Sequence, residues 1–184
     1  MMGNGMLTCP GCERQFVRRS RRHGVVEHVL SFILLFPFRC QLCTRRFLAF
    51  SGKIHHVPLR EYVRVPIRLP VSYGTMDASQ SVHGEGVTLN LSIRGCRLES
   101  DPPLKQGAAL RLELQTGERE GQIAIQSAVV RSAQDKWAGI EFLEIQKDDE
   151  IKLGRFKEKL LSAAVQGILS PSSLQSGGGA ASPA

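Results

Sequence analysis

Val65-Pro66-Ile67-Arg68-Leu69-Pro70-Val71-Ser72-Tyr73 places an apolar side chain at every second position, from Val65 to Tyr73 without a break. Successive side chains of an extended chain point to opposite faces, so this alternation predicts a strand with one face in a core. Working outward, further strands are predicted at Val87–Leu91, Cys96–Leu98, Ala108–Leu114, Gly121–Val130 and Trp137–Leu143. Turn residues punctuate them at Gly84-Glu85-Gly86, Asp101-Pro102-Pro103, Thr116-Gly117 and Gln134-Asp135. Short strands at this spacing predict an antiparallel barrel or sandwich. The period then lengthens. Behind the acidic Asp148-Asp149-Glu150, the residues Phe156, Leu160, Leu161, Ala164, Val165 and Ile168 recur at helical spacing, predicting an amphipathic helix that ends near Gly167–Ser170. Residues 171–184 are Ser, Gly, Ala and Pro apart from Gln175 and Leu174, the one large apolar side chain, too little to offset ordering, and a disordered tail is expected there.

The chain has 184 residues, enough for one ordinary domain or two small ones. Hydrophobic content of 42% and charged content of 22% exclude wholesale disorder. The longest apolar run, Val29–Phe38, is interrupted by Ser31 and Pro37 and is too short to span a bilayer. The N-terminus lacks the pattern of a secretory signal, so a cytoplasmic location is expected. Charge is unevenly spread. Residues 1–59 hold nine Arg or Lys against Glu13 and Glu27, which accounts for the whole formal +7, while residues 60–184 are neutral. That asymmetry predicts two units of different chemistry.

Cysteine usage divides the chain at the same place. Cys9-Pro-Gly-Cys12-Glu-Arg14-Gln-Phe16 and Cys40-Gln-Leu-Cys43-Thr-Arg45-Arg-Phe47 form an internal repeat, each with a C-x-x-C pair followed by Arg and Phe at matched offsets. A C-x-x-C turn aims both sulfurs at one ion, so Cys9, Cys12, Cys40 and Cys43 are the expected ligands of a closed tetrahedral Zn2+ site. Four thiolates also suit rubredoxin-like iron, and ligand type does not choose between the metals. A closed four-cysteine site leaves no open position for catalysis and predicts a structural ion that supplies much of this unit's folding free energy. The 27 residues between the pairs exceed those of a simple ribbon, and the helix-like Val25–Leu35 accounts for the excess. The basic run within residues 14–23 has two readings, a phosphate-binding surface for nucleic acid or a counter-charge to the anionic metal centre. His55-His56 lies outside both knuckles and reads as linker. The expected organisation is a zinc-ribbon-like module over 1–50, a linker over 51–59, a barrel with its C-terminal helix over 60–169, and the tail over 170–184.

Two short elements in the neutral part could bind an anion. Arg60-Glu61-Tyr62-Val63-Arg64 directly precedes the first strand, and Asn90-Leu91-Ser92-Ile93-Arg94-Gly95 lies where one strand hands over to the next. Arg-x-x-x-Arg occurs four times in this chain, so the pattern gains meaning only from its pairing with the second element. In that order and spacing, with Trp137-Ala-Gly-Ile-Glu-Phe142 as a last strand, residues 58–166 resemble the PilZ family, whose members bind the bacterial second messenger cyclic di-GMP. The resemblance implies a mainly β fold, a six-stranded antiparallel barrel with a C-terminal α-helix, and carries the ligand-binding role to Arg60, Arg64, Asn90, Ser92 and Gly95. The chemistry of those residues is compatible with such a ligand. Guanidinium groups fork onto phosphate or onto guanine O6/N7, and an Asn amide offers a donor and an acceptor to a guanine edge. Arg64/Arg68 also fits the spacing, but Arg68 lies inside the strand, and the loop pair Arg60/Arg64 is better placed to wrap a ligand.

The leading expectation is therefore a cyclic di-GMP receptor or adaptor in which ligand closes the arginine loop and changes surface or inter-domain geometry, with an unidentified protein as partner. The alternative is a nucleic-acid-binding regulator acting through the basic cysteine unit, with the barrel as an interaction module. No nucleophile with its base and no paired carboxylate motif is present, so catalysis is not expected. Cys96, inside a strand, reads as a small buried hydrophobe.

Overall fold

The computed structural model describes residues 7–51, 60–76, 83–117 and 121–166. Most of the expected linker 51–59, with His55 and His56, lies outside these residues, as do Ile168 and the expected tail. The chain divides into two compact units, Met1–Val63 and Arg64–Ala184.

In the first unit, β1 (Val17–Arg19), β2 (Leu35–Cys40) and β3 (Arg46–Phe50) form an antiparallel sheet in the order β1-β2-β3. The helix α1 (Gly24–Phe32) occupies the expected insertion between β1 and β2, ending three residues before Leu35, which already belongs to a strand. The two C-x-x-C repeats fold alike. Cys9 N–H donates to the Arg14 carbonyl and Cys40 N–H to the Arg45 carbonyl, both at 2.9 Å. Glu13 and Thr44, each directly after its second cysteine, both take a left-handed backbone conformation. Helix α1 buries none of its residues and leaves Val25, Val26, Val29 and Phe32 exposed. Its Glu27 is held by Arg46.

In the second unit, β4 (Val65–Pro66), β5 (Pro70–Thr75), β6 (His83–Ser92), β7 (Gly95–Ser100), β8 (Ala109–Gln115), β9 (Gln122–Gln134) and β10 (Trp137–Glu144) pair in the order β4-β6-β5-β8-β9-β10-β7. β6 also pairs with β7, which closes β5 to β10 into a six-stranded antiparallel barrel, with β4 as a short extra strand on β6. Alternation fills the interior. Val71, Tyr73, Leu110, Leu112, Leu114, Ile123, Ile125, Val130, Ile140 and Phe142 are all buried. Burial of such side chains contributes about 1.5–3 kcal/mol each before conformational entropy is set against it. Helix α2 (Lys147–Val165) packs on β9 through a face that buries Leu153, Phe156, Leu160 and Leu161. Gln126 Oε1 accepts the Gln146 N–H at the start of the helix, at 2.9 Å.

One sequence expectation needs correction. Residues 65–73 are not a single strand. Val65–Pro66 pairs with the far end of β6, and the ladder resumes only at Pro70. Pro66 and Pro70 each lack an N–H, so a continuous ladder through this stretch is interrupted. The side chain of Thr88 patches the gap, accepting the Leu69 N–H at 3.0 Å and donating to the Ile67 carbonyl at 2.9 Å. The apolar alternation survives the break, since Val65, Leu69, Val71 and Tyr73 are all buried. Thr88→Val should therefore cost the barrel about 1–3 kcal/mol, because it leaves two backbone groups without their partner. Denaturant unfolding read through Trp137, the single tryptophan, checks this, and an unchanged midpoint would contradict it.

Candidate functional site

The four expected cysteines converge. Their Sγ atoms all lie within 4.8 Å of one another, with Cys9–Cys43 at 3.5 Å and Cys12–Cys40 at 3.6 Å. A tetrahedral ion with metal–sulfur bonds of about 2.3 Å requires sulfurs about 3.8 Å apart, so the cluster fits a zinc-binding unit. Backbone amides already point at the sulfurs, Gly11 N–H at Cys9 Sγ (3.4 Å) and Leu42 N–H at Cys40 Sγ (3.4 Å). Burial opposes ionisation of the Cys9 thiol, but hydrogen bonds from the Cys12 and Gly11 amides and from the Cys43 and Cys12 side chains together outweigh it and bring the group down to about 7. Burial holds Cys43 above the usual thiol range.

The basic run is built into this unit. Val17–Arg19 is strand β1, the Arg19 guanidinium lies 3.7 Å from the Phe36 ring centroid, and Arg22 Nη1 donates to Ser31 Oγ at 2.9 Å. Gln41, between Cys40 and Cys43, accepts the Val63 N–H at 2.7 Å and donates to the Glu61 carbonyl at 3.3 Å. Arg60, exposed, belongs to this unit.

In the second unit, the other four expected residues gather where β4 meets β6 and β7. Val65 pairs with Leu91 and Pro66 with Asn90, so by continuation of the register Arg64, exposed, stands opposite Ser92. Asn90 is half-buried, and its Oδ1 is shielded from solvent without a hydrogen-bond partner among the described residues. A buried acceptor left unpaired costs about 1–3 kcal/mol, which a ligand donor would recover. Ser92 is buried, and its hydroxyl is engaged locally, donating to the Gly95 carbonyl at 2.9 Å and accepting from Arg94 N–H at 3.4 Å. Ser92 thus fastens the turn Ile93-Arg94 between β6 and β7. Gly95 is required by close approach, since a Cβ there would stand 2.2 Å from the Ile140 carbonyl oxygen. Burial pushes the Cys96 thiol up to about 12, against the opposing charge of Arg64, so at neutral pH it stays protonated and inert. Arg68 is ion-paired with Glu99 at 3.2 Å.

Arg97 joins this surface, a residue that sequence reading passed over. It is the cross-strand partner of Asn90, so the two side chains share a face of the sheet, and its guanidinium lies 4.9 Å from the Trp137 ring centroid. No local motif signals Arg97, because its proximity to Asn90 depends on the bulged β6–β7 register.

These features together form a closed six-stranded barrel in which an arginine precedes a short strand docked beside an Asn-x-Ser-x-x-Gly turn. Residues 58–159 match the family described as the PilZ domain. The chain belongs to the PilZ family. Similar solved structures include the PilZ domain of CeSA from a cellulose-synthesizing bacterium, 20% identical with a TM-score of 0.42, covering 54% of this chain and 98% of that one. The PilZ domain of Escherichia coli YcgR with cyclic di-GMP is 18% identical with a TM-score of 0.46, covering 60% and 98%. The Bacillus subtilis inhibitor of motility MotI/DgrA is 22% identical with a TM-score of 0.44, covering 62% of this chain and 58% of that one. No curated protein matches the chain.

The PilZ match begins at residue 58 and leaves the cysteine unit as an addition. Cobalt titration tests that unit directly. Uptake of one ion per chain with the spectrum of tetrahedral sulfur ligation is expected, as is its loss in Cys40→Ser. Full uptake by Cys40→Ser would contradict the assignment.

Proposed function

We propose that this chain is a cyclic di-GMP receptor whose binding surface is the corner between β4, β6 and β7, and that it works as an adaptor. The observation that carries the reading is the unpaired, shielded Oδ1 of Asn90 beside the strand that Arg64 leads. An Asn carbonyl accepts from guanine N1–H or N2–H, while the Arg64 guanidinium grips a phosphate or lies flat on the purine. Arg60, at the other end of the same five-residue arm, covers the second phosphate or base. Ser92 and Gly95 act on the shape of the turn, one by fastening it and the other by leaving room for the neighbouring backbone. Two phosphate charges suit an arm that offers two arginines.

The adaptor part rests on the arm itself: a ligand that orders Arg64 and the residues leading into β4 changes the surface the chain presents. A structural Zn2+ at Cys9, Cys12, Cys40 and Cys43 keeps the first unit folded. The exposed apolar face of α1, at Val25, Val26, Val29 and Phe32, supports a protein partner for that unit. No helix among the described residues is long and apolar enough to cross a membrane.

Calorimetric titration of the full chain with cyclic di-GMP tests the reading. Arg64→Ala and Asn90→Ala should each weaken binding about ten- to a hundredfold, the worth of one or two charge-assisted or buried hydrogen bonds, with the thermal unfolding of the barrel unchanged. Absence of heat with the folded wild type, or undiminished binding by both variants, would overturn it.

A further inference from the structure

We propose that Gln41 and Arg39 are positioning residues for the Arg60–Arg64 arm, so that the metal held by the four cysteines strengthens dinucleotide binding. The proposal rests on the receptor reading above and adds its regulation.

All three residues between the two arginines are held by the cysteine unit. Gln41 lies inside Cys40-Gln41-Leu42-Cys43 and is 3% exposed. Its Oε1 accepts the Val63 N–H at 2.7 Å, and its Nε2 donates to the carbonyls of Glu61 and Arg39, both at 3.3 Å. The Arg39 guanidinium is ion-paired with Glu61 at 2.7 Å, donates to the Tyr62 hydroxyl at 3.2 Å and lies 5.6 Å from that ring's centroid. Ser20 Oγ, from the segment after β1, donates to the Glu61 carboxylate at 3.4 Å.

The sign of the coupling follows from Glu61. It is the one carboxylate within the arm, and unrestrained it would compete with a phosphate for Arg60 or Arg64. Arg39 takes it instead. Among the described residues neither Arg60 nor Arg64 forms a hydrogen bond or an ion pair, so the docked arm presents two available guanidinium groups. The metal enters because Gln41 occupies the turn between two of its ligands. Removing the ion releases the knuckle in which Leu42 and Cys43 amides converge on Cys40 Sγ, and with it the aim of the Gln41 side chain. Ligand binding to a free arm then bears the cost of ordering it, a cost the metal-loaded unit has already met. Linkage makes the effect reciprocal, so dinucleotide must tighten metal retention by the same factor.

The experiment compares cyclic di-GMP affinity by calorimetry for the metal-loaded full chain, the same chain stripped by a chelator, and metal-loaded Gln41→Ala, with Trp137 fluorescence reporting the barrel. Binding about tenfold weaker is expected in the second and third samples, with metal content intact in the third, and chelation should add little to Gln41→Ala. Gln41→Glu, which keeps the acceptor for the Val63 N–H, should fall between. Saturating cyclic di-GMP should tighten zinc about tenfold in competition with a chromogenic chelator, and less in Gln41→Ala. Equal dinucleotide affinities in all samples, or tighter binding after chelation, would overturn the coupling alone. No binding by the metal-loaded wild type would overturn the receptor reading and the coupling with it.

Discussion

Two backbone pairings, Val65 with Leu91 and Pro66 with Asn90, set the geometry on which the rest of the site depends. They are short because prolines at 66 and 70 deny the ladder two donors, and in the gap that follows the Thr88 side chain bonds the Leu69 N–H and the Ile67 carbonyl. The consequence is a chain that enters the barrel across the far end of β6, beside the turn fastened by Ser92. Arg64 immediately precedes that strand, so its backbone is fixed by the pairing while its exposed guanidinium forms no hydrogen bond or ion pair among the described residues. A fixed backbone with a free guanidinium is what the proposed phosphate-binding role needs.

The surface around that entry point is polar where the barrel interior is not. Asn90 and Arg97 face outward from paired positions on β6 and β7, Arg97 rests against Trp137, and Gly95 brings the β7 backbone against Ile140. Immediately beneath lies an apolar core that includes Leu91, Cys96 and Ile140. A low-dielectric floor strengthens any hydrogen bond or ion pair formed above it, and raises the penalty for leaving the Asn90 carbonyl unpaired. The same burial explains why Cys96, next to the glycine, contributes packing and no reactivity.

Much of this was legible in the residues. Alternation at Val65–Tyr73 and Leu110–Leu114 announced strands with one buried face, the change of period after Asp148 announced the helix, and the repeated C-x-x-C pairs announced their own convergence. What escaped the sequence has a common cause: it depends on which residues the tertiary register brings together. The unbroken alternation over residues 65–73 concealed the interruption that Pro66 and Pro70 impose, and the repair by Thr88, nineteen residues from Leu69, carries no local signal. Arg97 is unremarked in a strand until the register sets it across from Asn90. Gln41 is merely a variable position of a C-x-x-C knuckle until the chain returns at Glu61–Val63. The basic run offered two readings from composition, and the packing of Arg19 on Phe36 and the building of Val17–Arg19 into β1 were invisible to it.

The central claim is that Asn90 and Arg64 belong to one surface made for a guanine dinucleotide. The most direct measurement is a nuclear magnetic resonance titration of isotope-labelled protein with cyclic di-GMP, following the Asn90 side-chain amide together with the Arg64 backbone amide. The account predicts that both resonances move in step with the bound fraction. Saturable binding that shifts resonances elsewhere and leaves Asn90 and Arg64 unmoved would contradict it.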